Sequence, residues 1–410
     1  MPFRLLHTAD WHLGRVFFNV SLLDDQAHVL EQLVDLARDC RADALVIAGD
    51  VYDRAVPPAD AVRLLNETLT RLALDLDLAV VIIAGNHDSA ERLGFGSALM
   101  EERRCYVRGP LAGGLAPVEI SGRDGAARLF PLPYAEPALV RELLGATDLT
   151  SHDAALAALI THLGALPNDL PNIAVGHCFV GGGAVCESER PLSVGGAGQV
   201  AAERFAGFDY VALGHLHRPQ AFRDADGQER VQYSGSLLKY SFSEATHAKS
   251  VSLVELGDGP PQVTRIALSP RRDLRIVEGH LADLLAGPPP GESAQDYLLL
   301  RLLDTGALLD PMGRLRTVYP NALHLERPAL AQAGDGRTPS REQLARGDEA
   351  LFADFFTEVT GQAPSDAQRD VLHAVLADLA RQEREAAPPT FGSDPAGSDQ
   401  AGSGAGSEPA

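Results

Sequence analysis

The sequence predicts an α/β fold in which sheets are layered with helices, and three observations predict it. Five short apolar runs, at residues 3–6, 44–48, 79–84, 172–175 and 210–213, are β-branched or Leu-rich and have the length of buried strands. Two segments between them carry apolar residues at helical spacing. These are Ala27, Leu30, Leu33, Val34 and Ala37 within 24–40, and Ala61, Leu64, Leu65, Leu69 and Leu72 within 60–74. Strand alternating with helix implies α/β layering. Finally, each of the five runs is succeeded at once by Asp, Asn or His, as expected where a site forms beyond the carboxyl ends of strands.

These elements place the first domain at residues 1–275. The stretch Gly287-Pro-Pro-Pro-Gly291 interrupts the next region. A strand is then predicted over 297–303, a helix over 307–316 and a second strand over 321–326, giving a small separate α/β unit at 276–335. A polar loop around 334–339 leads to two helices within 340–385. Ser340-Arg-Glu-Gln343 and Ser365-Asp-Ala-Gln368 each fit a capping box, in which Ser and Gln side chains satisfy free amides at a helix start. Apolar faces are expected at Leu351, Phe352, Phe355, Phe356 and Val359, and at Val371, Leu372, Val375, Leu376 and Leu379. Residues 386–410 are rich in Gly, Ser, Ala, Pro and Asp and are expected to be disordered. No internal repeat is evident.

The 410 residues carry 56 acidic and 35 basic side chains, a net charge of −21. A protein that simply coats DNA would be basic, to displace counterions, and a polybasic membrane binder would be too. Lysine occurs only at Lys239 and Lys249, so arginine carries nearly all the positive charge. No signal-like segment or membrane-length apolar run is seen, and Cys40, Cys105, Cys178 and Cys186 form no C-x-x-C pair. A cytoplasmic protein without a disulfide framework is the expectation.

The chemistry lies in the residues just after the runs. They are Asp10-Trp-His12, Gly49-Asp50-Val-Tyr-Asp53, Gly85-Asn86-His87-Asp88, Gly176-His177 and Gly214-His215-Leu-His217. Glycine before Asp50, Asn86, His177 and His215 allows tight turns that aim the next side chain. Carboxylates, imidazoles and one amide oxygen form a mixed O/N donor set. Such a set suits manganese, iron or zinc better than calcium, and it favours a two-metal centre that attacks phosphorus. Taken singly, Asp-x-His is weak and Gly-Asn-His-Asp could be a plain turn. Five such clusters in order, each closing a predicted strand, are much harder to read as structure alone. His7, His28, His152, His162, His247, His280, His324 and His373 match no cluster and are read as ordinary structural histidines.

In this pattern the sequence resembles the calcineurin-like metallophosphoesterases. Longer strings resemble the SbcD-type nuclease subunits of bacteria: HTADWHLGR from His7, AGDVYDRAVPP from Ala48, AGNHDS from Ala84, YVALGHLHRPQ from Tyr210, YSGSLLKYSFSE from Tyr233 and KSVSLVEL from Lys249. The resemblance implies a four-layer α/β/β/α sandwich, a small α/β capping domain and a C-terminal helix pair. It implies that Asp10, His12 and His217 hold one metal and Asn86, His177 and His215 the other, with Asp50 bridging. His87 would be the non-ligand catalytic histidine, Asp53 a supporting catalytic residue, and Asp88 a brace for the turn. Two divalent ions, manganese foremost, are implied. So are DNA as substrate, an SbcC-like ATPase docked by the terminal helices, and a homodimer of the nuclease subunit. The implied activities are ATP-dependent double-strand exonuclease and single-strand endonuclease with hairpin opening, in DNA repair, recombination and replication. No Walker-type loop is present, so ATP use would fall to the partner. The rival readings are a phosphoesterase acting on small molecules or proteins, and a non-catalytic interaction protein on the same fold. Arg15 and Arg218 are candidates for phosphate contact or plain surface arginines. The segment 239–244 is either an edge strand that closes the sheet or a DNA-facing element.

Overall fold

The computed structural model describes residues 2–111, 115–190, 192, 198–223, 227–306, 308–328, 348–360 and 362–386. All five apolar runs are strands: Phe3–Thr8, Ala44–Ala48, Ala79–Ile83, Asn172–His177 and Tyr210–Gly214. They are divided between two six-stranded sheets. The first has the order Gln262–Ala267, Ser250–Leu256, Phe3–Thr8, Ala44–Ala48, Ala79–Ile83, Cys105–Arg108. Its last four strands are parallel to one another, and the first two are antiparallel. The second runs Gln220–Phe222, Val231–Tyr233, Tyr210–Gly214, Asn172–His177, Ala126–Leu132, Val118–Ser121, parallel at its centre and antiparallel at both edges.

The sheets stack face to face. Leu5, Val46, Val81 and Ile83 of the first meet Leu129, Ile173, Val175 and Ala212 of the second in one core. Alternate residues point the other way, as the two-residue period of a strand requires. Leu6, Leu45, Ile47, Val80 and Ile82 pack under helices Leu23–Asp39 and Ala59–Thr70 through Val29, Leu33, Leu65 and Leu69. On the far side Phe130, Ala174, Val211 and Leu213 pack with Val140, Ala155 and Leu159 of helices Pro137–Leu144 and His152–Leu163. The result is the four-layer α/β/β/α sandwich. The central strands are buried on both faces, which is why they read as unbroken apolar runs rather than alternating ones.

The helix predicted over 60–74 is α-helical over Ala59–Thr70 and continues as a π turn over Arg71–Asp75, a change of pitch that apolar spacing does not distinguish. A third sheet, all parallel, is formed by Leu274–Gly279, Tyr297–Leu302 and Ala322–Glu326. The helix expected over 307–316 is shorter, Pro311–Arg316. Its start is set by Asp310, whose carboxylate accepts the Gly313 amide at 3.0 Å. Leu274, Tyr297 and Leu299 join the core beneath helix Leu23–Asp39. The Tyr297 hydroxyl donates to Asp25 Oδ2 at 2.9 Å and accepts from Arg272 Nη1 at 2.6 Å. One oxygen of a buried carboxylate on the first helix is thereby satisfied by the third sheet, and the other faces Arg272 Nε at 3.5 Å.

By internal contacts the chain divides into two units, Met1–Leu303 with Asp310–Glu326, and Asp304–Leu309 with Arg327–Ala410. The second contains helices Asp348–Thr360 and Asp366–Ala386, joined by a His373–Glu349 contact of 3.0 Å. At the second helix start Gln368 Oε1 accepts the Ser365 amide at 2.8 Å, the glutamine half of the predicted capping box. The other predicted box, at Ser340, and the tail from residue 387 lie outside the described residues. Among the described residues no helix is long and apolar enough to cross a membrane.

Tyr297→Phe keeps the ring in the core and removes the hydroxyl from a buried carboxylate. It is expected to lower unfolding free energy by about 1–3 kcal/mol, the usual cost of such a loss. Urea denaturation checks this, and an unchanged midpoint would refute the role given to this hydrogen bond.

Candidate metal centre

The five clusters leave the strands at the same end of the sandwich and are cross-linked by their own backbones. The amides of Asp10 and His12 donate to the carbonyls of Gly49 and Asp50, at 3.1 and 3.0 Å. Asp50 Oδ1 accepts the His87 amide at 2.8 Å. The Asp10 carboxylate accepts the His215 amide at 2.9 and 3.1 Å. Asp88 collects the amides of Val51, Tyr52 and Gly85 at 2.9–3.1 Å, which fixes the second and third loops against each other.

Tight packing accompanies this. Of the glycines expected to make turns, Gly49 has a left-handed backbone (φ +88°), whereas Gly85, Gly176 and Gly214 do not. What Gly85 and Gly214 supply is close approach. A Cβ on Gly85 would lie 2.2 Å from Asp50 Oδ1, and one on Gly214 2.0 Å from the Ala48 carbonyl of the opposite sheet. The left-handed conformations fall instead on site residues: Asp10 (φ 55°), His12 (46°), Asp50 (50°) and His215 (110°). Each costs roughly 1–3 kcal/mol and persists only where the surroundings over-determine it.

The side chains converge in a buried space. His12 Nε2 lies 3.1 Å from His217 Nε2 and 3.7 Å from Asp50 Oδ2. Donor atoms of Asp10, His12 and His217 lie within 4.8 Å of one another, as do those of Asp10, Asp50 and His177. On the other side of Asp50, His177 Nε2 is 3.5 Å from Asp50 Oδ2 and 2.9 Å from Asn86 Oδ1, and His215 Nδ1 is 3.2 Å from the same amide oxygen. His87 Nε2 stands 4.0 Å from Asp50 Oδ2, while its Nδ1 is held 2.8 Å from the Asp53 carbonyl oxygen. Asp10, His12, Asn86, His87, His177, His215 and His217, all singled out in the sequence, thus gather around Asp50. Asp53 flanks them. Its carboxylate accepts from Arg15 Nη1 at 2.8 Å and lies 3.7 Å from His12 Nδ1.

Burial and close neighbours set the electrostatics of the site. Burial drives Asp10 up to about 7 against the pull of His177 and His217. Burial opposes ionisation of Asp50 too, yet His177, His12 and His87 together hold it well below the usual carboxylate range. Burial lowers His12 strongly and, with His177, takes His215 down to about 3. His177 resists burial because of the Asp50 charge and rises to about 9. His177 Nδ1 faces the Ala48 carbonyl at 2.8 Å, so its Nδ1 proton is committed there and Nε2 is turned to Asn86 and Asp50. Carboxylate, imidazole and amide-oxygen lone pairs converging on one buried space, with His12 Nε2 only 3.1 Å from His217 Nε2, are what divalent cations satisfy. The residues present fit such ions.

More than half of the chain, residues 3–219, matches the calcineurin-like phosphoesterases. The chain belongs to that family. Residues 270–360 match a second family, SbcD_C, described as the type 5 capsule protein repressor C-terminal domain. A calcineurin-like phosphoesterase domain followed by this C-terminal domain supports an SbcD-like nuclease subunit. Two solved structures are similar to parts of the chain. TT1561 of Thermus thermophilus is 15% identical, with a TM-score of 0.37 over 65% of this chain and 99% of its own. A dimetal phosphatase from Danio rerio is 16% identical, also at 0.37, over 66% and 100%. The family match makes this phosphoesterase a metal-dependent hydrolase with a His/Asp cluster for divalent metals.

Some secondary expectations change. The 239–244 segment is not an edge strand. Phe242–Glu244 is a 3₁₀ turn behind the centre, and Lys239 is spent internally on Asp273 and the Ala245 and Leu274 carbonyls. Arg15 is tied to Asp53, whereas Arg218 is exposed. Ser188, Glu189, Glu244 and Lys249 contact His217 but carry no sequence signal for it, since none follows a strand in a metal motif.

Gly214→Ala would force a Cβ against the Ala48 carbonyl. It is expected to cost at least about 1–3 kcal/mol, the range for overpacking, and to weaken metal uptake because the sheets carrying the ligands must part. Calorimetric melting and metal titration of the purified variant check this. Parental values in both would refute the close-approach role.

Proposed function

We propose that this phosphoesterase is a DNA nuclease subunit acting with two divalent cations, manganese foremost. Asp10, His12 and His217 would hold one cation, Asn86, His177 and His215 the other, and Asp50 would touch both. When bound, such a pair activates water and stabilises the oxygens of an in-line displacement at phosphorus. The chain's own residues do the rest. The Asp53 carbonyl keeps the proton on His87 Nδ1, so the opposite nitrogen faces the site and can hold or give a proton at the departing oxygen. The Asp53 carboxylate anchors Arg15 beside His12.

The observation that carries this reading is the presence of both family matches in one chain, since phosphoesterase motifs alone fit many substrates. On that basis residues 276–335 are a capping domain that restricts which DNA ends reach the metals. The helices within 340–385 dock on an SbcC-like ATPase, in the cytoplasm, with the nuclease subunit as a homodimer. ATP-dependent double-strand exonuclease, single-strand endonuclease and hairpin-opening activities, serving DNA repair, recombination and replication, belong to that assembly.

The test is co-purification with an SbcC-like ATPase, then cleavage of linear duplex with ATP and manganese beside a small chromogenic diester. Duplex cleavage that needs both additions is expected. Turnover of the small diester alone would sink the nuclease reading. In the same assay His87→Ala is expected to bind manganese as the parent does and to lose about 10²–10⁴-fold in rate, the usual worth of a positioned acid or base. Near-parental cleavage would remove His87 from the reaction.

A further inference from the structure

Behind His217 lies a chain of buried polar contacts that belongs to no phosphoesterase motif. His217 Nδ1 is 2.8 Å from Ser188 Oγ, and Ser188 Oγ donates to Glu244 Oε1 at 2.6 Å. A serine has one hydroxyl proton. With that proton given to a carboxylate, the Ser188 oxygen can only accept from the imidazole, so the His217 proton sits on Nδ1 and the Nε2 lone pair faces His12 and Asp10. Glu244 is fully buried and is braced from several sides. The Tyr240 amide and Ser241 Oγ donate to Oε1 at 3.1 and 3.2 Å, and Lys249 Nζ forms a short contact with Oε2. Lys249 Nζ also donates to the His217 carbonyl and to Ser236 Oγ, each at 2.8 Å. Glu189 Oε1 accepts the His217 amide at 2.7 Å. The ring, amide and carbonyl of this one histidine are therefore all fixed, and the buried ion pair that does so is compensated within itself.

We propose that Ser188, Glu244 and Lys249 are positioning residues that hold His217 as its Nδ1–H tautomer, and that they thereby set the affinity of the Asp10–His12–His217 cation site selectively over the Asn86–His177–His215 site. The selectivity follows from geometry. His177 Nδ1 is oriented by the Ala48 carbonyl and His217 Nδ1 by Ser188, so the two imidazoles are aimed by different groups. Residues that orient a metal-bound histidine are typically worth about 10–100-fold in metal affinity. The inference rests on His217 being a metal ligand, as proposed above.

The test uses the full chain and needs no DNA. Nitrogen-15 spectra of histidine-labelled, metal-free protein report the His217 tautomer, assigned with a His217→Gln sample. Manganese titration then reports the two sites separately. The parent is expected to show the Nδ1–H form. Ser188→Ala is expected to lose that signature and to weaken one manganese site about 10–100-fold with the other unchanged, and Ser188→Thr, which keeps the hydroxyl, to restore both. An Nε2–H form in the parent, equal weakening of both sites, or parental affinity in Ser188→Ala would each overturn the proposal. Failure of the nuclease reading would show as missing DNA cleavage with the tautomer and titration results intact.

Discussion

Everything at the centre depends on how closely two sheets approach at one end. Ligands from the first sheet's loops and ligands from the second must share a space a few ångströms wide, and ordinary side chains at the crossing would hold the backbones apart. Gly214 has no Cβ to collide with Ala48 across the gap, and Gly85 has none to collide with Asp50 on the neighbouring loop of the first sheet. Once the backbones touch, their polar groups pair across the gap, as His177 Nδ1 does with the Ala48 carbonyl and the His215 amide does with Asp10. Close packing and ligand orientation are therefore one event.

That arrangement buries two carboxylates with several imidazoles, an expensive collection without cations. The opposed shifts of Asp10 and Asp50, and of His177 and His215, follow from burial set against the charges these groups place on one another. The fold supplies the cost of assembly through the apolar sandwich beneath, where the strand residues are wholly buried.

Much of this was legible in the sequence because two periodicities were clean. Apolar runs buried on both faces announced the strands, and the acidic, amide and imidazole residues immediately after them announced the site. What did not show was set by three-dimensional approach. The sequence suggests that the glycines bend the chain, but Gly85 and Gly214 are needed for contact, and the left-handed turns fall on Asp10, His12, Asp50 and His215. Ser188 and Glu244 are 29 and 27 residues from His217 in the chain, at no motif spacing, and only folding brings them behind its ring. The break from α to π pitch at Arg71 is likewise invisible to apolar spacing.

The cross-loop hydrogen bonds have a further consequence. Three loops with left-handed residues are held by groups on another loop: the first by Gly49 and Asp50, the second by Asp88, the fifth by Asp10. No loop retains its conformation alone. Local fraying, common at loop tips, has no low-energy route here, because releasing one loop removes the support of the next. The loop backbones therefore hold or give way as a set, while the rings of His177 and His217 keep their own orienting partners.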